Sequence, residues 1–179
     1  MASTTIDIDT ELSAVNNILG AIGQSPLTTL NFDNPEVAFI YNLLRDANVD
    51  TQAEGWHFNT EKHVIYTPDS VTGKIAIGND ILSMDVHDNH IRREYNLVRR
   101  NGVLYDKQDH TDDFSTVDSI DLDVVRLYNF EDLPIVFRRF ITYRAALQEY
   151  ECNQGDHNMF GFPDDSAHQT YQPWRNLRR

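Results

Sequence analysis

Residues 35–68 read PEVAFIYNLLRDANVDTQAEGWHFNTEKHVIYTP, and the repeat of their apolar side chains changes partway along. Val37, Ile40, Leu44 and Ala47 recur at three- and four-residue steps, the stripe of an amphipathic helix, and Phe39, Tyr41 and Leu43 widen it. Asn34 ahead of Pro35 supplies an N-cap followed by proline at the first helical position, and no breaker intervenes before Gly55. From Trp56 onward, β-branched and aromatic runs alternate with turn residues. A helix that gives way to strands at one glycine predicts an α+β fold.

Upstream, TELSAVNNILGAIGQ carries Leu12, Val15, Ile18, Leu19 and Ile22 on a second helical stripe. Thr10 or Asp9 can cap its start, and Gly23 can take the left-handed conformation that ends it. Downstream, WHFNTEKHVIYTP, GKIAIGN, DILSMDV, EYNLVRR, NGVLYDK and SIDLDVVRLYN predict four to six short, mostly antiparallel strands, since no helix-length crossover separates them. Asn101-Gly102 marks a two-residue hairpin. In SIDLDVVRL, Ile120, Leu122 and Val124 alternate with Asp121 and Asp123, so one face is buried and the other wet. The helical period returns in EDLPIVFRRFITYRAALQEYE, with Pro134 in the first turn and Leu133, Phe137, Phe140, Ile141, Arg144 and Leu147 along one side.

These readings divide the chain into a helical bundle from residues 10–55 and 130–150, a β-strand domain at 56–129 inserted between them, and a C-terminal arm at 151–179. The arm has no apolar period, and three arginines stand among its last five residues.

The 179 residues carry 28 acidic and 15 Lys or Arg side chains, for a net charge of −13. Tight, sequence-independent DNA binding depends on cations at phosphates, so this balance argues against it. It permits a surface past which DNA slides without adhering. One cysteine excludes an internal disulfide framework and a Cys-rich zinc site. No apolar run approaches the ~18 residues of a membrane span, and the start is too polar for a signal peptide, so the expectation is a cytoplasmic product with no membrane partner.

Catalytic patterns are sparse. No GxSxG, Walker loop, GxGxxG or HExxH is present. His87 and His90, beside Asp85 and Asp88 in the HDNH stretch, suggest metal ligation by residue type, but on a loop nothing fixes the rings, and a solvated polar turn is the expectation. The acidic run 106–113, DKQDHTDD, lacks the glycine and terminal glutamate of a calcium loop and reads as a mobile hairpin end. Cys152 with His157 has no orienting acid or oxyanion donors in its pattern and reads as a bystander thiol. Glu54 and Glu61, flanking GWHFNT, are the first carboxylates to test for glycoside hydrolysis, while Trp56 and Phe58 share strand parity and read as core rather than a sugar platform. No catalytic, cofactor or metal residue is assigned.

Two stretches are more specific. ELSAVNNILGAIGQSPLTTL and QAEGWHFNTEKHVIYTPD resemble the tail tubular protein A family of short-tailed bacteriophages. The resemblance rests on the Ile22-Gly23-Gln24-Ser25-Pro26 turn and on Gln52, Gly55, Trp56, Phe58 and Asn59 of a Q-x-x-G-W-x-F-N segment. It continues in the NGVLYDKQDHTDDFS hairpin, in Val124 to Leu127, and in the helix entry Phe130 to Pro134. Members usually follow the last helix with a loop and a further long helix, whereas here Tyr150 leads almost directly to Asn158-Met159-Phe160.

The resemblance implies a head-to-tail connector of the virion, assembled in the host cytoplasm and placed at the capsid vertex. Its implied partners are the portal protein, a tail nozzle of the tail tubular protein B type, possible tail fibres, and copies of itself in a ring of twelve. DNA would pass through the channel without specific binding, and no cofactor or catalytic step belongs to that role. Trp174, Arg175, Arg178 and Arg179 are the expected partner anchors on the arm, since Trp and Arg dominate interface hot spots. A tail-borne cell-wall or polysaccharide hydrolase is the alternative expectation, and a DNA-binding closure protein a third.

Overall fold

The structure, a computed structural model, describes residues 9–87 and 95–154, without the side chains of 151–154. Its elements run α1 (Glu11–Ala21), α2 (Pro35–Ala53), β1 (Thr60–Tyr66), β2 (Ile81–Val86), β3 (Leu97–Arg100), β4 (Val103–Asp106), β5 (Ile120–Arg126), a 3₁₀ turn (Phe130–Asp132) and α3 (Ile135–Gln154). Helices and antiparallel sheets together make the fold α+β, as the change of period at Gly55 predicts. The chain separates into two compact units, one built from the residues up to Thr51 and from Tyr128 onward, the other from Gln52–Leu127.

The helical unit forms where caps and stripes agree. Thr10 caps α1: its Oγ1 accepts from the Ser13 amide at 3.2 Å while the Thr10 amide donates to Ser13 Oγ at 2.8 Å, so two amides at the helix start are satisfied reciprocally. Gly23, at φ +79°, ends it, and the Gln24 amide closes back on the Leu19 carbonyl at 2.9 Å. Asn34 Oδ1 accepts the Glu36 amide at 3.0 Å and starts α2. Ala14, Val15, Ile18 and Leu19 of α1 are buried, as are Val37, Ile40, Leu44 and Ala47 of α2. Tyr41 donates to Glu11 Oε2 at 3.1 Å, and Arg144 of α3 pairs with Asp50 of α2 at 3.5 Å.

α3 departs from expectation at both ends. Pro134 does not sit in its first turn, because a residue before proline is driven out of the helical region. Leu133 accordingly takes φ −76°, ψ 151°, so Phe130–Asp132 close a separate 3₁₀ turn. The Pro134 carbonyl then accepts the amides of Phe137 and Arg138 as α3 begins. At its far end α3 reaches Gln154, so residues 151–154, assigned above to the arm, are helical. The buried side of the helix runs through Phe137, Ile141 and Ala145 to Glu149, and Leu147 faces outward instead of joining it.

The strand unit has β5 at the centre of a three-stranded antiparallel sheet, β1-β5-β2, and a separate β3-β4 hairpin. Asn101 and Gly102 both take positive φ, 51° and 78°, the primed turn whose twist matches its flanking strands. Leu122 and Val124 of β5 join Ile75, Ile77, Ile81, Val86, Leu104 and Phe114 in one apolar core. GKIAIGN forms no strand; it reaches the hairpin through an isolated bridge, Ala76 to Val103, and through Asn79, which accepts from Arg99, while Ile75 and Ile77 fill the core.

Nor does the first strand begin at Trp56. Residues 56–59 close a turn in which Asn59 Oδ1 accepts the Trp56 amide at 2.8 Å. Asn59 Nδ2 donates to the carbonyls of Gln52 at 2.8 Å and Arg126 at 2.9 Å. Trp56 is buried as expected and Phe58 half-buried.

Candidate functional site

Three groups of side chains stand out as candidate sites, each within one unit. The first is on the helices. Val136, Tyr143 and Leu147 stand 43%, 64% and 48% exposed at spacings of seven and four residues, which places them on one side of α3. Phe39 of α2 and Phe32 of the preceding loop are exposed too, Phe32 lying 4.8 Å from the Tyr41 ring. Between α1 and α3 a shallow cleft is lined by Asp9, Asn17, Arg139, Thr142 and Tyr143. Arg139 Nε meets Asp9 Oδ2 at 3.0 Å, and Arg138 donates to the Asp9 carbonyl at 2.8 Å, so the charges there are already engaged.

The second group surrounds Arg126 at the end of β5. Its Nε donates to Glu61 Oε2 at 2.8 Å and its Nη1 to Asp80 Oδ2 at 2.6 Å. The bond from Glu61 leads in holding the guanidinium above its ordinary value, against burial and with Asp80 adding to it. Glu61, one of the two carboxylates singled out for hydrolysis, is thus one arm of an ion-paired clamp across β1, β5 and the start of β2. Glu54 lies exposed beyond the end of α2.

The third group is on the outer face of the three-stranded sheet. His87 follows β2 directly, and its Nδ1 lies 2.7 Å from Asp123 Oδ1 on β5. His63 of β1 places Nδ1 3.0 Å from Asp121 Oδ2, and the two imidazole centroids are 3.5 Å apart. His87 is therefore tied down rather than carried on a free polar turn. The signal was in the alternation Asp121-Leu122-Asp123, which puts two carboxylates on one face, but the partner His63 was not recognisable. Asp88 and His90 lie outside the described residues. Burial alone would raise the Asp123 carboxyl, yet the His87 ring and the His63 amide hold it below the usual carboxylate range.

The acidic run at 106–113 is more ordered in its bonding than a mobile end would be. Asp106 is 1% exposed and accepts the amides of Asn96 at 3.0 Å and Gln108 at 2.9 Å through Oδ1. Its backbone exchanges hydrogen bonds with Thr111 at 2.8 and 3.2 Å. The arm residues Trp174, Arg175, Arg178 and Arg179, and His157, lie outside the described residues; Cys152 is described only as a position in α3.

No described helix is long and apolar enough to cross a membrane. Compared with known families, the chain is matched over residues 12–177 by the model of a tail tubular protein family. No curated protein matches it.

Proposed function

The chain belongs to the tail tubular protein family, and from that premise we propose that it is the head-to-tail adaptor of a short-tailed bacteriophage. The family is structural and its members are components of the virion tail. In this reading identical copies, twelve in the ring that the resemblance implies, encircle a channel between the portal at the capsid vertex and the tail nozzle, with tail fibres docking alongside. The observation that carries it is the outward row Val136, Tyr143 and Leu147 on α3. Apolar side chains at one helical spacing gain from being covered by a neighbouring subunit. The net charge of −13 suits a channel wall, because it repels the phosphate backbone and lets DNA pass without adhesion.

Electron microscopy of the protein mixed with its portal tests the proposal. A second ring stacked coaxially on the portal is the expected result; protomers that remain single in the presence of portal overturn it. The competing hydrolase reading has less support, since Glu61 is engaged by Arg126. Incubation with peptidoglycan and α-glucans, with Glu54→Gln and Glu61→Gln as controls, separates the two: turnover lost in either variant favours the hydrolase.

A further inference from the structure

We infer that Asn101, at the tip of the β3-β4 hairpin, is a site of spontaneous modification. Its side-chain amide is converted by the next backbone nitrogen and water to aspartate and isoaspartate, and the isoaspartate form releases the hairpin from the core. Asn101-Gly102 is the one Asn-Gly pair in the 179 residues. The attacking group is the amide nitrogen of the residue after asparagine, and glycine alone leaves that nitrogen without a side chain beside it. A Cβ placed at Gly102 meets nothing within 4 Å, so the five-membered ring formed in the attack has open space.

Neither reacting group is restrained by a hydrogen bond of its own. Asn101 is exposed, and its side-chain amide bonds to no described residue. The Gly102 amide makes no turn or loop hydrogen bond among the described residues, although its carbonyl accepts the Ile77 amide at 2.8 Å. Asn16 and Asn59 differ, since their side-chain amides are fixed to the backbone of Leu27 and to that of Gln52, Trp56 and Arg126. Asn101 and Gly102 both hold positive φ, so the attack needs their shared peptide plane to turn away from its place in the primed turn. The reaction therefore passes through fraying of the tip, and the ladder beneath sets its pace. Charge favours both the step and its product. Arg99 and Arg100 directly precede the turn, Arg100 standing 4.1 Å from the centroid of the Tyr105 ring. Cations this near favour the anionic nitrogen that attacks and the carboxylate that results.

In the first step the Gly102 nitrogen gives its proton to hydroxide and bonds to Asn101 Cγ, the bond from Cγ to the amide nitrogen breaks, and ammonia leaves. Water then opens the succinimide at either carbonyl. In sum, one amide and one water give one carboxylate and one ammonium ion. Opening at the main-chain carbonyl gives isoaspartate, in which the chain runs through the former side chain and gains a methylene; opening at the other carbonyl gives aspartate. Asp-Gly suits the same primed turn as Asn-Gly, so the aspartate form keeps the hairpin. The isoaspartate form does not. Its extra methylene carries the Gly102 carbonyl away from the Ile77 amide, and it disturbs the adjoining bond from the Leu104 amide to the Ile75 carbonyl, 2.8 Å long. Ile75, Ile77 and Leu104 belong to the apolar core of the strand unit, so the hairpin loses its hold there as the protein ages.

The test holds the full-length protein at neutral and at mildly alkaline pH and follows it by peptide mapping in a mass spectrometer, by enzymatic methylation of isoaspartate, and by hydrogen exchange at Ile77. Asn101 is expected to convert first, at a rate proportional to hydroxide concentration and faster in the urea-unfolded chain, while Asn16 and Asn59 of the folded protein stay intact. The isoaspartate form should lose protection of the Ile77 amide. Asn101→Gly keeps a favoured Gly-Gly turn without the reacting amide, and should abolish both the methylation and the loss of protection. Freshly purified Asn101→Asp, which adds the charge without the methylene, should keep Ile77 protected. Conversion of Asn16 or Asn59 ahead of Asn101, or equal methylation of Asn101→Gly, overturns the site. Full protection of Ile77 in the isoaspartate form overturns the release. Ring assembly on the portal is read separately, so the adaptor proposal stands or falls on its own.

Discussion

Asn59 is fully buried, and its amide joins the end of α2, the turn at Trp56 and the end of β5 through three hydrogen bonds. Removing it strands an amide and two carbonyls, and buried backbone groups left without partners cost about 1–3 kcal/mol each when they cannot relax. Asn59→Ala is expected to lower unfolding stability by about 3 kcal/mol in urea titration, and Asn59→Asp by at least as much, because its buried carboxylate would face the Gln52 and Arg126 carbonyl oxygens; a change under about 0.5 kcal/mol in both would remove the hub role. Asp69 and Asp113 act at the surface in another way. The amide of Thr72 leads in holding Asp69 below the usual carboxylate range, and the amide of Ser115 does so for Asp113. A carboxyl depressed in the folded state contributes stability present above its unfolded value, near ~3.9, and lost as pH falls through the folded value. Melting temperature should therefore drop as pH falls below about 4, and Asp69→Asn with Asp113→Asn should flatten that drop while lowering the plateau above it. At this scale the sequence told little: Asn59 looked like a strand residue, because its hydrogen-bond partner Arg126 lies 67 positions away and no local pattern announces it.

Elements were more legible, for a physical reason. The starts of α1 and α2 are set by residues within three positions, Thr10 with Ser13 and Asn34 with Glu36, so short windows of sequence contain the whole cause. Thr10→Ala is expected to cost about 1 kcal/mol, measured by chemical denaturation, with Thr10→Ser close to neutral; equal losses in both would place the effect outside the cap. The Asn101-Gly102 hairpin is local in the same sense. What escaped notice depends on contacts made at a distance or on competition between rules. The helical period of EDLPIVFRR extends across Leu133-Pro134, but proline's clash with its predecessor outweighs it and splits the run into a 3₁₀ turn and α3. The bulge at His63 is set by its pairing with β5, whose sequence begins 57 residues later, at Ile120. The histidine pair was legible only as a single polar turn, and the Glu61 carboxylate only as a candidate acid without its arginine.

At the scale of the whole molecule, the row on α3 separates a surface kept for assembly from one that is merely apolar. Tyr143 and Leu147 are 64% and 48% exposed, so a serine at either removes little buried area from the protomer. Surface substitutions of this kind usually stay within about 0.5 kcal/mol, and the isolated protomer should melt as before. If neighbouring copies cover the row, each substitution instead opens a hole in every contact of the ring, and the loss repeats at every subunit. Tyr143→Ser with Leu147→Ser is therefore expected to leave monomer stability unchanged while coaxial rings on the portal disappear from electron micrographs. A double substitution at exposed, charged positions of the same unit, Arg45→Ser with Asp46→Ser on α2, should leave the rings intact. Rings that persist with the α3 row made polar would remove that face from the assembly, and equal loss from both pairs would indicate a general defect rather than a shared surface. Salt adds an independent reading of the same contact: an apolar junction holds or strengthens as ionic strength rises, whereas one built on the protein's abundant carboxylates changes steeply. Ring yield that is steady between low and physiological salt would place the association on side chains such as Tyr143 and Leu147.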